Sequence, residues 1–364
     1  MKTHNNYVIR AVEDPLTIDA AAWDALVRAQ DTPSPFMQHA YLAAMHASGS
    51  AVAATGWQAT FLLVHDGNAL VGGCALYAKS HSYGEYVFDW SWAQAFEQSG
   101  RAYYPKLLGA APFTPVPGSR LLAIDDAVRH ALIAGIEALA QRAACSSAHV
   151  LFPDARDVEA FERSGWMIRR SVQFHWQQAA DAPYATFAEF AQALHRDKRK
   201  KIAQERRRVL EQGVTFGVFE GTEIHASQWD FFYRCYAQTY REHGSRPYLT
   251  RAFFDGMAQH MPQAWVMFVA SRNGAPIAAS LIVVDASTRV AFGRYWGAVE
   301  HVPFLHFEAC YYQPIDWCIR RGVLRFEGGA RKASTKWRVV CFRCRRHRPT
   351  GLPIRHSRRP WRTF

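Results

Sequence analysis

The sequence predicts an α/β protein built from two tandem units, each a mixed sheet flanked by helices. Three observations predict it. Turn signals with glycine, Asp66-Gly67-Asn68 and Arg272-Asn273-Gly274, each sit between two apolar runs and mark a β-hairpin. Each hairpin is followed by a further strand, a helix and a strand again, the pattern of a duplicated unit. The chain is 364 residues long and 49% hydrophobic, enough for two domains with packed cores.

Residues 18–30 and 35–48 have the composition of helices. The second has Pro35 in its first turn and stops at Gly49. Residues 57–64 and 69–79 are the hairpin strands. The polar and aromatic stretch that follows, SHSYGEYVFDWSWAQAFEQSG, reads as loop and then helix, and the prolines after Tyr104 forbid a long regular element. A helix over 126–143, a strand over 149–152, a helical turn over 158–163 and one strand over 166–176 complete the first unit. A boundary is expected at 180–184, dividing the chain into 1–180 and 181–330.

In the second unit, residues 187–212 read as one long helix ended by Gly213. A strand at 214–219 and helices at 228–240 and 251–260 follow. The second hairpin comprises 265–271 and 277–284. A third strand at 289–296, a helix at 307–321 and a strand at 323–327 follow it.

Composition narrows the function. No apolar run is long enough to span a bilayer, and the N-terminus carries no apolar signal segment, so a cytoplasmic protein is expected. Cys74, Cys145, Cys235, Cys310 and Cys318 are scattered among apolar neighbours and are expected as buried free thiols. The net charge of +12 is a property of residues 331–364, which hold 12 Lys or Arg and no acid; residues 1–330 carry 31 basic and 31 acidic residues. The basic balance is therefore no sign that the body binds nucleic acid. No nucleophile elbow, Walker loop or dinucleotide fingerprint occurs.

The residues that carry chemistry concentrate in three stretches. In the first, the strand ending at Trp296 leads into a loop and a helix start near Leu305 and Phe307. Unpaired N–H groups and the helix dipole there suit a pyrophosphate, or the crossover is an ordinary one with nothing bound. His306 and Glu308 at this start are candidates for proton transfer, or serve as a cap and a first-turn acid. Glu327 ends a strand beside Gly328 and Gly329, either lining a cleft or sitting in a turn. Gly293 and Gly297 flank Arg294, Tyr295 and Trp296, and mark close backbone approach to a ligand or a bulge. In the second, Ser80, His81, Tyr83, Glu85 and Asp89 lie among aromatic residues, as a ligand-contacting lip or a buried loop. In the third, residues 196–208 carry eight Lys or Arg, among them Arg199 and Lys200. That run is a phosphate-binding face or a solvated one.

The motifs SHSYGEYVFDWSWA (80–93), HRDKRKKIAQERRRV (195–209), TYREHGS (239–245), GRYWG (293–297) and HFEACYYQPIDWCIRRG (306–322) with FEGGA (326–330) resemble a bacterial family of N-acyltransferases. That family is similar to the FemAB peptidoglycan aminoacyltransferases and to the GNAT superfamily. The resemblance covers residues 7–330 and implies two GNAT-like domains in tandem, transferring an acyl group to an amine acceptor. It implies acyl-CoA as co-substrate, its pyrophosphate at 299–307, where Val299, Leu305 and Phe307 lie. The resemblance carries over no catalytic residue; on the residues themselves, catalytic work is expected of His306, Glu308 and Glu327, and substrate contacts of Ser80, His81, Tyr83, Glu85, Asp89, His243, Tyr295 and Trp296. In Fem enzymes the donor is aminoacyl-tRNA, which gives the Arg199 and Lys200 helix a tRNA partner. A non-catalytic RNA- or cell-wall-binding protein is the contrasting class.

The sequence departs from this family after FEGGA. The family continues with a motif like QGEHKxARGLLPV, where this chain has RKASTKWRVVCFRC. Shifting the frame by one base over residues 332–343 gives Q-G-E-H-K-M-A-R-G-L-L-P when the free wobble bases are chosen within what the code allows. The basic tail therefore reads as out-of-frame translation. The zinc-like Cys341 and Cys344 with His347 and His356 complete no ligand pattern, and no metal is expected.

Overall fold

The protein is described here from a computed structural model, covering residues 7–87, 89–170, 173 and 175–328, and the backbone of 338–342. The first half runs β1 (Val8–Val12), α1 (Ala20–Arg28), α2 (His39–Ala47), β2 (Trp57–Asp66), β3 (Ala69–Lys79), α3 (Trp90–Gln98), β4 (Lys106–Gly109), β5 (Leu122–Ala123), α4 (Asp126–Arg142), β6 (Ala148–Leu151), α5 (Ala155–Arg163) and β7 (Met167–Arg170). The second runs β8 (His175–Gln177), α6 (Phe187–Gln192), α7 (Arg196–Glu211), β9 (Val214–Glu220), α8 (Ala226–Glu242), α9 (Arg251–His260), β10 (Trp265–Arg272), β11 (Ala275–Asp285) and β12 (Val290–Ala298). It ends with α10 (Leu305–Phe307), which passes through a π-helical turn (Glu308–Tyr312) into α11 (Gln313–Arg320), and then β13 (Arg325–Glu327) and β14 (Arg338–Phe342).

The duplication is visible in the strand pairing. β2 and β3 form a hairpin, β4 is antiparallel to β3, and β6 is parallel to β4. In the second half β10 and β11 form the hairpin, β12 is antiparallel to β11, and β13 is parallel to β12. The parallel pair needs a crossover, which α4 supplies in one half and the α10–α11 helix in the other. Asp and Thr side chains set several helix starts: Asp19, Asp125, Asp154, Thr186 and Thr250 each accept a first-turn N–H.

The two sheets exchange strands. β8 flanks β13 in the second sheet, and β14, at the far end of the sequence, lies between β6 and β7 in the first. The single strand expected over 166–176 is therefore two strands, one in each sheet. Alternating side chains mark both, and only pairing reveals the change of sheet. The single helix expected over 187–212 is also two. It breaks at Ala193, whose N–H reaches back to both Glu189 and Phe190, and His195, with extended ψ, starts α7.

The largest core is shared between the halves. It includes Trp23, Phe36, Tyr41 and Trp57 from the first half and Trp229, Phe232, Phe253 and Phe254 from the second. Aromatic edges cross the junction: Phe36 meets Phe292 at 5.2 Å between centroids, Tyr41 meets Phe253 at 5.5 Å, and Phe113 stacks on Tyr248 at 5.0 Å. Smaller cores lie under α4 and α5 in the first half and under α6 and α11 in the second.

Cys74, Cys145, Cys235 and Cys318 are buried free thiols, whereas Cys310 is half-buried. No helix among the described residues is long and apolar enough to cross a membrane. The basic tail at 331–364 and its Cys344, His347 and His356 lie outside the described residues, apart from the β14 backbone.

Candidate active site

The second-half site begins where two parallel strands part. β13 pairs with β12 only over Val290–Phe292, while β12 continues to Ala298. From Gly293 onward this edge of β12 has no ladder partner among the described residues. On its other edge β12 bulges: Ile282 pairs with Gly293 and Leu281 with Tyr295, leaving Arg294 as the extra residue. Gly297, on the same strand, is needed for packing. A Cβ there would lie 2.1 Å from the Cys235 carbonyl oxygen of α8.

A cavity of about 370 Å³ opens at this place. Its walls are Gly293, Arg294, Tyr295 and Trp296 of β12, Ser280, Leu281 and Ile282 of β11, and His306, Cys310 and Tyr311 of the helix. Gly328, after β13, closes one side, and Tyr86 and Pro115 reach in from the first half. The volume and the mix of aromatic walls with few polar groups suit a small ligand or part of a larger one. Ser280 Oγ donates to the Ala309 carbonyl at 2.5 Å, tying the π-helical turn to the sheet. Pro314, which has no N–H to donate, follows that turn.

Arg294 is the cation of the cavity wall. Its Nη2 donates to the Phe113 carbonyl at 2.7 Å and to Thr114 Oγ1 at 3.4 Å, both in the first half. Its guanidinium lies 5.3 Å from the Phe36 ring centroid and 5.0 Å from that of Tyr295. Burial opposes its charge, and the hydroxyls of Tyr295, Tyr41 and Tyr86 more than offset this, raising its pKa.

Of the residues singled out in the sequence, Tyr295, Trp296 and His306 meet in this cavity. The Trp296 and His306 rings are 5.5 Å apart. Glu308 faces the other way. It is buried against α7, where Arg206 Nε contacts both carboxylate oxygens at 3.2 Å and Gln313 donates at 2.7 Å. Glu327 is buried at the end of β13, with Arg325 Nε at 3.0 Å and His175 Nδ1 at 3.8 Å. Among the described residues its Oε2 accepts no hydrogen bond, and burial raises its pKa against the opposing charges of Arg325 and His175.

The helix start differs from the open anion seat expected from the sequence. Leu305 N–H donates to Val302, and those of Phe307 and Glu308 to Phe304, so these donors are already spent on the loop. Phe304 adopts a left-handed φ of 67° to make this turn. Val299 is exposed, Leu305 is core and Phe307 is half-buried. Arg199 and Lys200 are exposed on α7, roughly 13 Å along its axis from Arg208, which covers the Phe304 ring.

The first-half lip divides in two. Ser80, Tyr83 and Trp90 are exposed, and His81, Tyr83 and Trp90 form a row of ring contacts at 5.2 and 5.4 Å. Glu85 and Asp89 turn inward to a fully buried Lys106. Its Nζ donates to Glu85 Oε2 at 2.7 Å, to Ser82 Oγ at 2.9 Å and to Asp89. Burial pushes Glu85 up to about 7, and it pushes Lys79, the cross-strand neighbour of Lys106, down to about 7. Tyr86, next to Glu85, has φ of 58° and lines the cavity. His243 is exposed at the C-terminal end of α8 and is not among the cavity walls. No cluster of metal-ligating side chains occurs among the described residues.

Sequence reasoning missed Lys79, Lys106, Tyr86, Ser280, Cys310 and Tyr311, and did not assign Arg294 a role. The two lysines had a signal. Each is a charge at the border of an otherwise apolar strand, where a buried partner is required.

Solved proteins share this fold. L-PGS from Bacillus licheniformis aligns with a TM-score of 0.55 at 10% identity, over 92% of this chain and 94% of that one. The C-terminal domain of a lysylphosphatidylglycerol synthetase from Agrobacterium fabrum aligns with a TM-score of 0.53 at 10% identity, over 89% and 91%. FemX aligns with a TM-score of 0.50 at 11% identity, over 89% and 90%. At these identities the likeness is one of fold. No curated protein sequence matches the chain. The FemAB-like family, described as peptidoglycan biosynthesis/recognition, matches residues 15–338. With so much of its length matched by the family model, the chain belongs to the FemAB-like family.

Proposed function

We propose that this chain transfers an acyl group from an activated donor to an amine in the cleft where β12 leaves β13. The observation that carries the reading is the cavity at that parting, walled by Gly293–Trp296, His306 and Gly328. The free edge of β12 offers backbone N–H groups to a carbonyl oxygen that gains charge as the amine adds. The cavity walls hold amine and donor together, which removes much of the entropic part of the barrier. The amine nitrogen forms the new bond to the carbonyl carbon, and the bond to the leaving sulfur or oxygen breaks. The amine proton passes through His306 to the leaving group. Glu308, held by Arg206 and Gln313, positions the helix that carries His306. Glu327 is the second candidate for the base, because its buried Oε2 accepts no hydrogen bond among the described residues and has His175 Nδ1 near it at 3.8 Å.

The donor in this reading is an acyl-CoA-like thioester. A second reading, an aminoacyl-tRNA donor, is favoured by the exposed bases of α7, where Arg196, Lys198, Arg199, Lys200 and Lys201 face solvent. The family description favours an acceptor amine on a peptidoglycan precursor. Calorimetric titration of the whole chain with acetyl-CoA and with aminoacyl-tRNA at two salt concentrations tests the donor. Binding of CoA alone supports the thioester, and salt-sensitive binding of tRNA alone moves the assignment to the ester. If neither binds, the transferase reading is wrong.

A further inference from the structure

Among the described residues, the cavity walls carry one fixed cation, Arg294, and no acid. Tyr86, Tyr295, Trp296 and Tyr311 share the wall with Arg294, and Asp and Glu are absent from it among the described residues. Arg294 forms no ion pair among the described residues, and the groups that act on its charge are tyrosine hydroxyls. Lys79 and Arg120, also enclosed and without an ion pair among the described residues, are held by carbonyl oxygens, whereas three other enclosed cations have an acid beside them. Lys106 has Glu85, Arg129 has Asp157 and Arg206 has Glu308. A half-buried cation without a counter-ion is costly, and a buried donor without an acceptor adds to the cost. The Nε of Arg294 is such a donor.

The side chain is also held in place before any ligand arrives. The bulge turns residue 294 out of the ladder, the Phe36 and Tyr295 rings contact its guanidinium, and Nη2 is fastened to the Phe113 carbonyl across the junction of the halves. A guanidinium fixed in this way presents its remaining N–H groups in a rigid fork, which matches a planar carboxylate. A single fixed positive charge balances one negative charge. A phosphate dianion ordinarily gathers several donors, and the nearby helix start has spent its N–H groups of Leu305, Phe307 and Glu308 on the loop.

We infer that Arg294 is a carboxylate-recognition residue, and that the cavity selects an amino-acid or peptide substrate by its carboxylate. Assigning that carboxylate to the amine acceptor rests on the transferase reading, whereas the binding itself does not. The aromatic walls then contact the substrate's carbon skeleton, and the amine faces His306.

The test measures binding to the whole chain by the fluorescence of its tryptophans, Trp296 among them. The probes are N-acetylalanine, N-acetylalaninamide, which has the same shape without the charge, and inorganic phosphate. The carboxylate is expected to bind at least tenfold more tightly than the amide. Arg294→Gln should abolish that ratio, and Arg294→Lys, which keeps charge but loses the fork, should retain only part of it. Thermal melts of both variants establish that they are folded; if Arg294→Gln is not, Arg294→Lys decides alone. Equal affinity for carboxylate and amide overturns the inference, as does an unchanged ratio in folded variants. Phosphate binding more tightly than N-acetylalanine through Arg294 also overturns it. Discrimination between the probes in a protein that binds neither CoA nor tRNA would sink the transferase reading and leave this one standing.

Discussion

Lys106→Met removes the cation at the centre of a buried charge cluster. Nζ of Lys106 is fully buried, and its loss strands Glu85 and Asp89, both about 5% exposed. Lys79, the remaining buried cation nearby, is spent elsewhere: it lies 3.6 Å from the Trp57 ring centroid and donates to the Tyr83 carbonyl. Breaking a buried pair by deleting one partner costs about 3–5 kcal/mol. The cost should depend on pH. In the folded protein burial raises Glu85 from 4.5 to about 7, whereas burial of Asp89 is outweighed by Lys106 and its hydrogen bonds, which lower it. Between pH 4.5 and 7 the native state thus holds more protons at Glu85 than the unfolded chain does, so this group's contribution falls as pH rises. Asp89 does the reverse: its contribution is present above its unfolded value and is lost as pH falls through its lowered folded value. Without Lys106 both carboxyls rise, so stability of the variant falls more steeply with pH than that of the wild type. Urea unfolding of both proteins at pH 6 and pH 8 reads this directly. A loss near 0.5 kcal/mol at pH 8, the scale of a surface substitution, with unchanged m, would refute the reasoning, as would equal losses at both pH values.

Other expectations follow from the same geometry. Gly297→Ala drives a methyl into the Cys235 carbonyl and should cost about 3 kcal/mol or more, read as a lowered Tm or an insoluble product. His306→Ala should lower kcat by about 10²–10⁴ with little change in Tm, if the transferred proton passes through it. Glu308→Gln should instead lose about 1–3 kcal/mol of stability through Arg206, with a smaller effect on kcat than His306→Ala; equal kinetic effects would count against the division of roles. If the tail is out of frame, a chain carrying the family's QGEHK-type motif after Ala330, in place of the strand between β6 and β7, should have a higher Tm; no rise would refute the out-of-frame reading.

The two hairpins were legible because their turns are local chemistry. Asn273 and Gly274 both adopt positive φ, of 53° and 77°, which few residue pairs tolerate, and Gly67 does so at 57°. The repeat of hairpin, strand, helix and strand followed from those signals and from apolar periodicity. Tyr295, Trp296 and His306 could be found because they lie on one contiguous stretch around a strand end and a helix start. Arg294 stood in the same stretch, but its meaning depends on Phe36 and Phe113, far away in the chain.

The sequence by itself determined the α/β class, the duplication, most element positions and one wall of the cleft, since propensity, turn chemistry and side-chain period act over a few residues. Only the tertiary structure decided which strand completes which sheet, because β8 and β14 look like any other short strands until a partner edge selects them. It also decided that Glu308 turns to α7 while His306 faces the cavity, that Glu85 and Asp89 close on a lysine, and that Arg294 has no carboxylate beside it. Each of these depends on long-range pairing and burial, which place residues far apart in sequence within a few ångströms and change what their charges cost.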